Sequence, residues 1–479
     1  MDRMPFKDLR EFLARLEKEG ELQKFDEEVD WNLEAGAISR RALETDLPAP
    51  FFEKIKDYPK DRRMVSCVLA NLKRIAIAMD MAPDTPMREL IEEYLRRQKK
   101  PVKPVTVKTG PCKENVLIGD EVDLLKFPVP VIHEGDGGRY IGTWHLTVTR
   151  DLNTGWTNWG MYRHMLHDAK SFGVLAPAPK HLGTMADQKY APQNLPMPVA
   201  VVLGSEPITT FCAATPVPYG VSEVDIAGGL RGEPVELVKC ETSDLLVPAH
   251  SEIVIEGEIT PGDERDEGPF GEYTGYRSGL ASPKPVIRVK AVTFRNDPIF
   301  TFSCPGVPLD DSASVFSVNK SAQFLDELRS KGLPVTGAYL IVEGASHAIA
   351  VSVKNAYYGI AGEVAHVIWS ARHGLLTPSV IVVEDDVDPC NLQQVFHAMM
   401  TKCHPGRGIN KIEHATAWPL IPWLSEHERK HRMGARVYYD CTWPVDWDRA
   451  ELPVRQSFAE CYPKEIQEKA LRKWRSHGH

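Results

Sequence analysis

The sequence lacks the features that mark membrane, secreted and nucleic-acid-binding proteins. No stretch approaches the ~18 consecutive apolar residues of a membrane-spanning helix, and residues 1–5 begin no apolar signal segment. Acidic residues outnumber basic ones, 66 to 57, for a net charge of -9, so a basic surface for nucleic acid is not expected. The sequence therefore predicts a protein that works without a membrane or a nucleic acid.

Cysteine pairs and several common catalytic signatures are also missing. The nine cysteines form no CxxC pair, which predicts free thiols in a reducing compartment and hence a cytoplasmic protein. The sequence contains no GxGxxG run, no phosphate-binding P-loop and no GxSxG elbow. These absences count against Rossmann dinucleotide enzymes, P-loop NTPases and serine hydrolases of the α/β type.

The composition and the hydrophobic pattern are those of a large globular protein. Hydrophobic residues make up 43% and charged residues 26% of the 479 residues, and a chain of this length normally divides into domains. Apolar periodicity predicts helices at 6–20, 33–44, 87–97, 312–330, 362–371, 392–400 and 464–475. It predicts strands at 65–70, 143–148, 199–203, 253–259, 286–294, 338–342, 348–353 and 379–383.

These elements predict an α+β multidomain protein. Helices and strands alternate in an N-terminal α/β region at 1–115, whereas short strands between glycine and proline turns favour a β-barrel or sandwich at 116–305. Residues 306–335 are interpreted as a linker helix, and the α/β pattern returns at 336–450. The amphipathic helix in 451–479 needs a surface to pack on, either its own chain or a partner subunit.

An acidic segment around a Gly-Pro-Phe-Gly turn is the first candidate site. In residues 267–272, EGPFGE, the turn bends the chain sharply enough for Glu267 and Glu272 to enter one cavity. Two neighbouring carboxylates separate in pKa, so one of them can keep a proton and act as a general acid. A solvated acidic turn is the alternative that this segment alone leaves open.

The second candidate is residues 156–165, WTNWGMYRHM. The pattern predicts one strand, with Asn158 on one face and Arg163 on the other face or at a bend. A buried arginine in such a strand needs an anionic partner, which a carboxylate, a phosphate or a substrate acid can supply. An edge-strand arginine in solvent is the alternative.

Three scattered side chains have the ligand chemistry of a divalent ion. Asn158, His181 and Glu223 together offer the oxygen and nitrogen ligands suited to Mn2+ or Mg2+ that bridges a phosphate. Their spacings of 23 and 42 residues match no metal motif, so the spacing alone does not predict this site.

Taken together, the two segments resemble those of the UbiD decarboxylase family. The resemblance joins TNWxxxR at 157–163 with EGPFGExxGY at 267–276, and it extends to FKDLREFL at 6–13, HEGDGGRY at 133–140 and VEDDVDP at 383–389. It covers the chain from about residue 5 to residue 475. The stretch WPLIP at 418–422 is most similar to the ferulic, cinnamic and heteroaromatic acid branch.

The resemblance implies a carboxy-lyase that uses prenylated FMN. Such an enzyme reversibly removes CO2, without oxidation, from an aromatic, heteroaromatic or α,β-unsaturated acid. The implied acid–base network is Glu267, Arg163 and Glu272, with Glu272 as the proton donor. The implied ligands of Mn2+ or another divalent ion, beside which a K+ sits, are Asn158, His181 and Glu223.

The resemblance also implies how cofactor and substrate are surrounded. The predicted cofactor-binding residues are Asn158, Trp159, Gly160, Met161, Tyr162, Arg163, Lys180, His181, Glu223 and Lys354. Lys180, Trp418 and Leu420 are predicted to line the substrate pocket. Because Lys180 and Trp418 depart from the family pattern, they favour a compact ring that carries a polar or ionised substituent.

The resemblance further implies an architecture and partners. A split β-barrel that binds the flavin would lie between the N-terminal and C-terminal α/β parts, and the C-terminal domain and helix would form a homodimer or a higher homo-oligomer. A flavin prenyltransferase would supply the cofactor. Two other functions stay open: a catalytically silent flavin-binding paralogue or assembly subunit, and a divalent-metal hydrolase that uses Glu267 and Glu272.

Overall fold

The computed structural model describes residues 5–477, with the side chains of all of them except Arg372, His373 and Arg449. Residues 1–4 and 478–479, which belong to the predicted first and last regions, lie outside this range. Within residues 5–477 the chain is a mixed α/β protein with sheets of four, nine, three and five strands. Among the described helices, none has the length and the apolar composition that crossing a membrane requires.

The elements follow one another along the chain in this order. The first part contains α1 (Leu9–Lys18), β1 (Leu22–Val29), α2 (Glu34–Glu44), β2 (Ala49–Ile55), β3 (Arg63–Ser66), α3 (Leu72–Ala78), α4 (Met87–Gln98), β4 (Val105–Thr106) and β5 (Asn115–Ile118). The middle part contains β6 (Tyr140–Gly142), β7 (Leu146–Arg150), β8 (Thr157–Gly160), β9 (His164–Asp168), β10 (Ser171–Val174), α5 (His181–Met185), β11 (Met197–Leu203), α6 (Pro207–Ala213), α7 (Glu223–Arg231), β12 (Glu236–Lys239), β13 (Leu246–Pro248), β14 (Ile253–Glu267), β15 (Ser282–Phe294) and β16 (Ile299–Phe302).

The last part contains α8 (Asp311–Ser330), β17 (Val335–Ile341), β18 (Ala348–Val353), α9 (Ile360–Ser370), β19 (Ser379–Glu384), α10 (Leu392–Thr401), β20 (Ile409–Thr416), α11 (Glu426–His431), β21 (Met433–Cys441), α12 (Phe458–Cys461) and α13 (Lys464–Arg475). The predicted helices and strands are confirmed at these positions, apart from two segments and the start of one strand: the strand predicted at 143–148 begins only at Leu146. The strand predicted at 65–70 ends at Ser66, because Cys67 adopts a left-handed backbone with φ of 60°.

The second correction concerns residues 156–165, which form two strands and not one. β8 ends at Gly160, where it pairs with Thr147 of β7, and β9 begins at His164 and pairs with β6 and β10. The ring of Tyr162 folds back against Gly160, which leaves no space there for a side chain. Residues 161–163 are therefore a break between strands.

That break shows that the nine-stranded sheet is curled. The strand order β6-β9-β10-β15-β14-β11-β7-β8 places six inter-strand gaps between β9 and β8, which would be ~29 Å in a flat sheet. The chain from Gly160 to His164 can span at most ~14 Å. The two ends of the sheet must therefore approach each other, as in a half-barrel, and the break at 161–163 lies in the cleft between them.

The other sheets combine distant parts of the chain. β16, within the range predicted for the barrel, completes the N-terminal sheet in the order β1-β2-β3-β16, and the C-terminal sheet has the order β17-β18-β19-β21-β20. Helix α8 joins the two regions and is buried along most of its length, against α4 on one side and β17 on another. Asp310 caps this helix by accepting a hydrogen bond from the Ala313 backbone.

Candidate active site

Arg163 lies in the cleft of the curled sheet and binds two carboxylates. Its Nε and Nη2 donate to the two oxygens of Glu267 at 2.8 Å and 2.7 Å, and its Nη1 donates to Glu272. Glu267 is the last residue of β14, and Glu272 follows in the turn that this strand enters. The structure thus brings together the three residues predicted to form the network, and it excludes both the solvated-turn and the solvent-exposed-arginine alternatives.

The network is almost fully removed from solvent. Glu267 is 1% exposed and Glu272 is 8% exposed. Burial raises the pKa of Glu272 above its ordinary value, while the positive charges of Arg163 and Lys180 oppose the rise and the negative charge of Glu267 adds to it. Glu272 is therefore a carboxyl group whose protonated form burial favours.

The arginine is held in its charged form. Burial acts to lower the pKa of Arg163, but the hydrogen bonds that it donates to Glu267 and the charges of both glutamates outweigh it and raise the pKa. The guanidinium also lies over the ring of Phe270, 5.5 Å from the centroid. It remains a fixed cation between two acids.

The turn between the two glutamates depends on glycine at two positions. Gly268 has a φ of 89°, a left-handed conformation that side chains disfavour. A Cβ atom on Gly271 would collide with the imidazole of His133. The turn can therefore pass close to the arginine and direct Glu272 back toward it.

Three further side chains support the network, and the sequence analysis did not single them out. The Tyr140 hydroxyl donates to Glu267 Oε1 at 3.1 Å. Ser278 Oγ accepts a hydrogen bond from a backbone NH of the turn at 3.0 Å, and Asp136 Oδ1 accepts from another at 2.9 Å. Tyr140 and Asp136 lie in the run 133–140 that resembles the family, whereas nothing in the sequence marked Ser278.

Asn158, His181 and Glu223 also come together, from three different elements. Asn158 lies in β8, and His181 and Glu223 are the first residues of α5 and α7. Asn158 Nδ2 is 2.7 Å from Glu223 Oε1 and 3.1 Å from His181 Nδ1. A half-turn of the amide presents its oxygen to the same point, so the three side chains fit a divalent ion that prefers oxygen and nitrogen ligands.

Hydrogen bonds of Glu223 and Asn158 also hold the chain that runs from this cluster toward Arg163. Glu223 Oε2 accepts from the Trp159 backbone NH at 2.9 Å, and the Tyr162 hydroxyl donates to Asn158 Oδ1 at 3.2 Å. Met161 packs against the core at the start of the break. The segment 158–163 therefore runs from the Asn158 cluster directly to Arg163.

Of the predicted substrate residues, Leu420 lines a cavity of about 720 Å³ that Glu272 also lines, whereas Lys180 and Trp418 are not among its lining residues. His347 also lines this cavity. Trp418 lies beside Tyr273, the residue that follows Glu272. Lys180 is close enough to Glu272 for their charges to interact, and its Nζ lies 5.6 Å from the centroid of the Tyr162 ring. A cavity of this size accommodates a small aromatic acid.

One predicted cofactor residue lies apart from the others. Lys354 is exposed at the end of β18, and within residues 5–477 its side chain makes no hydrogen bond or ion pair with the Asn158 cluster. The resemblance around this lysine is restricted to the residue itself, since the flanking residues diverge.

Residues 427–431 match HExxH, the zinc-binding motif of many metalloproteases. They are not part of the network that Arg163 forms with Glu267 and Glu272. These residues are in the short exposed helix α11, where Glu428 and Ser425 form a capping box. Across the described part of the chain, no group of three His, Cys, Asp or Glu side chains is arranged to bind a metal ion. The motif is therefore a helix-capping sequence in this protein.

Family models match three consecutive parts of the chain. The N-terminal domain of 3-octaprenyl-4-hydroxybenzoate carboxy-lyase matches residues 13–94. The Rift-related domain of the same enzyme, named UbiD, matches residues 103–308, and its C-terminal domain matches residues 292–441.

Individual proteins match over almost the whole chain. The pyrrole-2-carboxylic acid decarboxylase of Pseudomonas aeruginosa is 32% identical over 488 aligned residues, which cover 98% of this chain and 98% of the relative. The phenolic acid decarboxylase of Bacillus subtilis is 35% identical over 457 residues, which cover 92% and 93% of the two chains.

Solved structures share the fold as well. The vanillic acid decarboxylase of Sedimentibacter hydroxybenzoicus, in its closed form, superposes with a TM-score of 0.89 at 33% identity and covers 98% of this chain and 99% of its own. An evolved dimeric form of the UbiD-class enzyme HmfF from Pelotomaculum thermopropionicum, in complex with prFMN, gives 0.81 at 28% identity, with 94% and 97% covered. Since the family models span most of the chain and the relatives span nearly all of it, the chain belongs to the UbiD family of decarboxylases.

Proposed function

We propose that the chain decarboxylates an aromatic or heteroaromatic acid with prenylated FMN, and that Glu272 delivers the proton that replaces CO2. The observation that carries this proposal is the buried set of Arg163 between Glu267 and Glu272 at the cavity wall. A carboxyl group with a raised pKa beside a fixed cation is a suitable general acid. The names of the relatives support a carboxylic acid as the substrate.

The residues of the chain have distinct roles in this proposal. Glu272 holds a proton at the cavity wall, and Arg163 fixes the position of its carboxyl group. Glu267 and Tyr140 in turn orient the guanidinium from its other side. Both glutamates are almost fully buried, so water has little access to their carboxyl groups and the proton comes from a defined atom.

The cofactor proposal rests on the segment 158–163 and on the Asn158 cluster. Loss of CO2 from an sp2 carbon leaves an electron pair that needs an acceptor, and prenylated FMN supplies that electron sink when it is bound. Asn158, His181 and Glu223 would hold Mn2+ or another divalent ion against the cofactor phosphate. A K+ beside that ion, and the phosphate contact of Lys354, stay predictions from the resemblance.

A compact ring fits the pocket best. Leu420 supplies apolar surface to the cavity, Trp418 lies beside Tyr273, which follows Glu272 in the chain, and Lys180 adds a positive charge close to Glu272. We therefore propose that the substrate ring carries a polar or ionised group. The relatives named for pyrrole-2-carboxylic, phenolic and vanillic acids include rings of this kind.

The two alternative functions are less consistent with the geometry. A divalent-metal hydrolase would need Glu267 and Glu272 as ligands, but Arg163 occupies both carboxylates. A silent flavin-binding paralogue would have no use for a buried proton donor. The flavin absorbance spectrum and the turnover of the holoenzyme distinguish a decarboxylase, a metal hydrolase and a silent paralogue.

The test of the proposed function is expression with and without a flavin prenyltransferase. We expect folded protein in both cases, but decarboxylation of a panel of aromatic acids only with the transferase, because only the prenylated cofactor supplies the electron sink. The measurements are the absorbance spectrum of the bound flavin, circular dichroism and CO2 release. Full activity in a strain without the transferase, with no flavin released on denaturation, would exclude the proposal.

Replacing His181 with alanine should weaken retention of cofactor and metal without changing the ranking of substrates. Loss of one ligand of the cluster is expected to reduce metal affinity by ~10-fold or more. Metal content by mass spectrometry and flavin content by absorbance measure this effect. His366→Ala, in the exposed part of α9, is the matched control. Normal metal and flavin in His181→Ala would refute the site.

We also propose that the chain forms a homodimer through its C-terminal part. Ile466 and Leu471 of α13 are 48% and 43% exposed, and an amphipathic helix gains stability by covering such side chains. We also propose the domain bounds given above, with the barrel at 116–305, and a cytoplasmic location. All nine cysteines are free thiols, which supports the cytoplasmic location.

A further inference from the structure

Lys320 is a buried lysine that the network around Arg163 does not use. It lies in the middle of α8 and is 3% exposed. Lysine is almost never buried to this extent without an anionic partner, because desolvating an ammonium group is costly. Its presence in a well-packed helix therefore calls for a ligand or a partner.

Among the residues whose side chains the structure describes, no side chain or carbonyl serves as that partner. Lys320 makes no hydrogen bond and no ion pair with them. Its ammonium lies over the ring of Phe316, with Nζ 3.3 Å from the ring centroid. Phe316 lies one turn earlier on the same helix. A cation–π contact only partly replaces the hydration that the ammonium loses.

The direction of the Lys320 side chain is fixed by its neighbours on α8. Asn319 Nδ2 donates to Thr215 at 3.0 Å, and Ser321 Oγ accepts from the Leu340 backbone NH at 2.8 Å. These two buried bonds set the rotation of the helix about its axis. Lys320 lies between them on the helix and is itself buried.

Lys320 lies close enough to His347, which lines the same cavity as Glu272, for their charges to interact. Helix α8 packs against the short turn Val342–Gly344, and Gly344 and His347 form part of the cavity wall. Burial, and then the nearby charge of Lys180, lower the pKa of Lys320 to about 7. Lys180 in turn lies near Glu272, so the two lysines place positive charge on one side of the site.

We propose that Lys320 binds an oxygen on the substrate ring, and that it selects hydroxylated aromatic acids whose phenol or phenolate oxygen reaches α8. This inference rests on the proposed function, since it assumes that the cavity beside Glu272 accepts the acid. An oxygen on the substrate ring would accept a hydrogen bond from the Lys320 ammonium, which has no other acceptor among the described residues. Arg163 and Glu272 then act at one end of the ring, and Lys320 recognises a substituent away from the reacting carbon.

The test compares two acids on the holoenzyme, 4-hydroxybenzoate and benzoate, which differ only in the ring oxygen. Lys320→Met keeps the length of the side chain but removes its charge and its donors. We expect the affinity for 4-hydroxybenzoate to fall by ~10-fold or more, as loss of a charged hydrogen bond implies, and the affinity for benzoate to stay within about twofold. Calorimetry measures both affinities.

Two further variants complete the experiment. Lys320→Gln keeps a hydrogen-bond donor, so it should retain part of the preference for 4-hydroxybenzoate. Lys331→Met, at the exposed C-terminal end of α8 with a 58% exposed side chain, should change neither affinity. Flavin content and thermal midpoint are recorded for each variant.

Several outcomes would overturn the inference. Equal losses for both acids in Lys320→Met and Lys320→Gln would show that the lysine is not a selector, and loss of flavin would show that it binds the cofactor instead. Absence of any wild-type preference for the hydroxylated acid would also refute it. If the preference depends on Lys320 but no acid is decarboxylated, the inference stands and the proposed function fails. If the acids are decarboxylated but the variants keep the wild-type selectivity, the proposed function stands and the inference fails.

Discussion

Replacing Glu272 with glutamine should reduce decarboxylation by ~10²–10⁴-fold while leaving flavin and metal in place, because general acid catalysis contributes about that much. The amide is similar in size and still fits beside Arg163, but it cannot deliver a proton. Exchange of solvent deuterium into the product carbon should fall in parallel. Turnover and mass spectrometry of the product in deuterated buffer measure the two effects.

The pH dependence of the wild-type decarboxylation rate tests Glu272 independently. Burial raises the pKa of Glu272, and the donor is active only while protonated, so the rate should fall as pH rises through that pKa. Glu264→Gln, an exposed change on the same strand β14, is the matched control and should leave the rate and its pH profile unaltered. Unchanged turnover in Glu272→Gln would move the proton donor to another residue.

Replacing Arg163 with methionine should have the largest effect on stability. The change leaves Glu267 and Glu272 buried without the guanidinium that pairs with both, and breaking a buried ion pair by removing one partner costs ~3–5 kcal/mol of unfolding free energy. Decarboxylation should be lost as well, because the guanidinium fixes the position of the proton donor. The thermal midpoint and CO2 release measure both losses.

The destabilisation in Arg163→Met should depend on pH in a defined direction. Buried carboxyl groups without a cation favour the neutral form, so their folded-state pKa lies above the unfolded value and the penalty is full at high pH. The penalty disappears as pH falls through the folded-state pKa, and the variant should lose less stability at pH 5 than at pH 8. Arg265→Met, which removes an exposed partner of Asp168 at 2.7 Å, should cost at most ~1 kcal/mol at either pH. Equal destabilisation by the two changes would contradict this account.

Much of the secondary structure followed from local patterns. Leu9, Phe12, Leu13 and Leu16 repeat at helical spacing, and all four are buried in α1. The apolar run in β11 is buried on both faces, as its continuous pattern predicts. Such elements depend on residues only a few positions apart, so the sequence contains the needed information locally.

The site was predicted in part, and through a resemblance rather than through spacing. EGPFGE marked Glu267 and Glu272, but the spacing of Asn158, His181 and Glu223 carried no signal of its own. Their approach depends on β8 and on the first turns of α5 and α7. The break at 161–163 was missed, because alternation within a short apolar segment does not reveal which neighbouring strands it pairs with.

Lys320 shows the limit of sequence reasoning most clearly. In the sequence it is one charged residue in a helical pattern that was interpreted as a linker, and charged residues on a helix normally face solvent. Only the packing of α8 between α4 and β17 buries it and brings it near Lys180. No local pattern records that packing.

The sequence by itself determined most of the long helices and strands, the charge balance and the acidic turn, because each depends on neighbouring residues and on backbone preferences. The tertiary structure alone decided which side chains meet. The curled sheet brings β8 and β9 together across a cleft, so Arg163 reaches residues about a hundred positions away, and that closure removes the network from water. Burial then raises the pKa of Glu272 and leaves Lys320 in need of a partner, and both effects arise from the desolvation of charge, which exists only once the chain has folded.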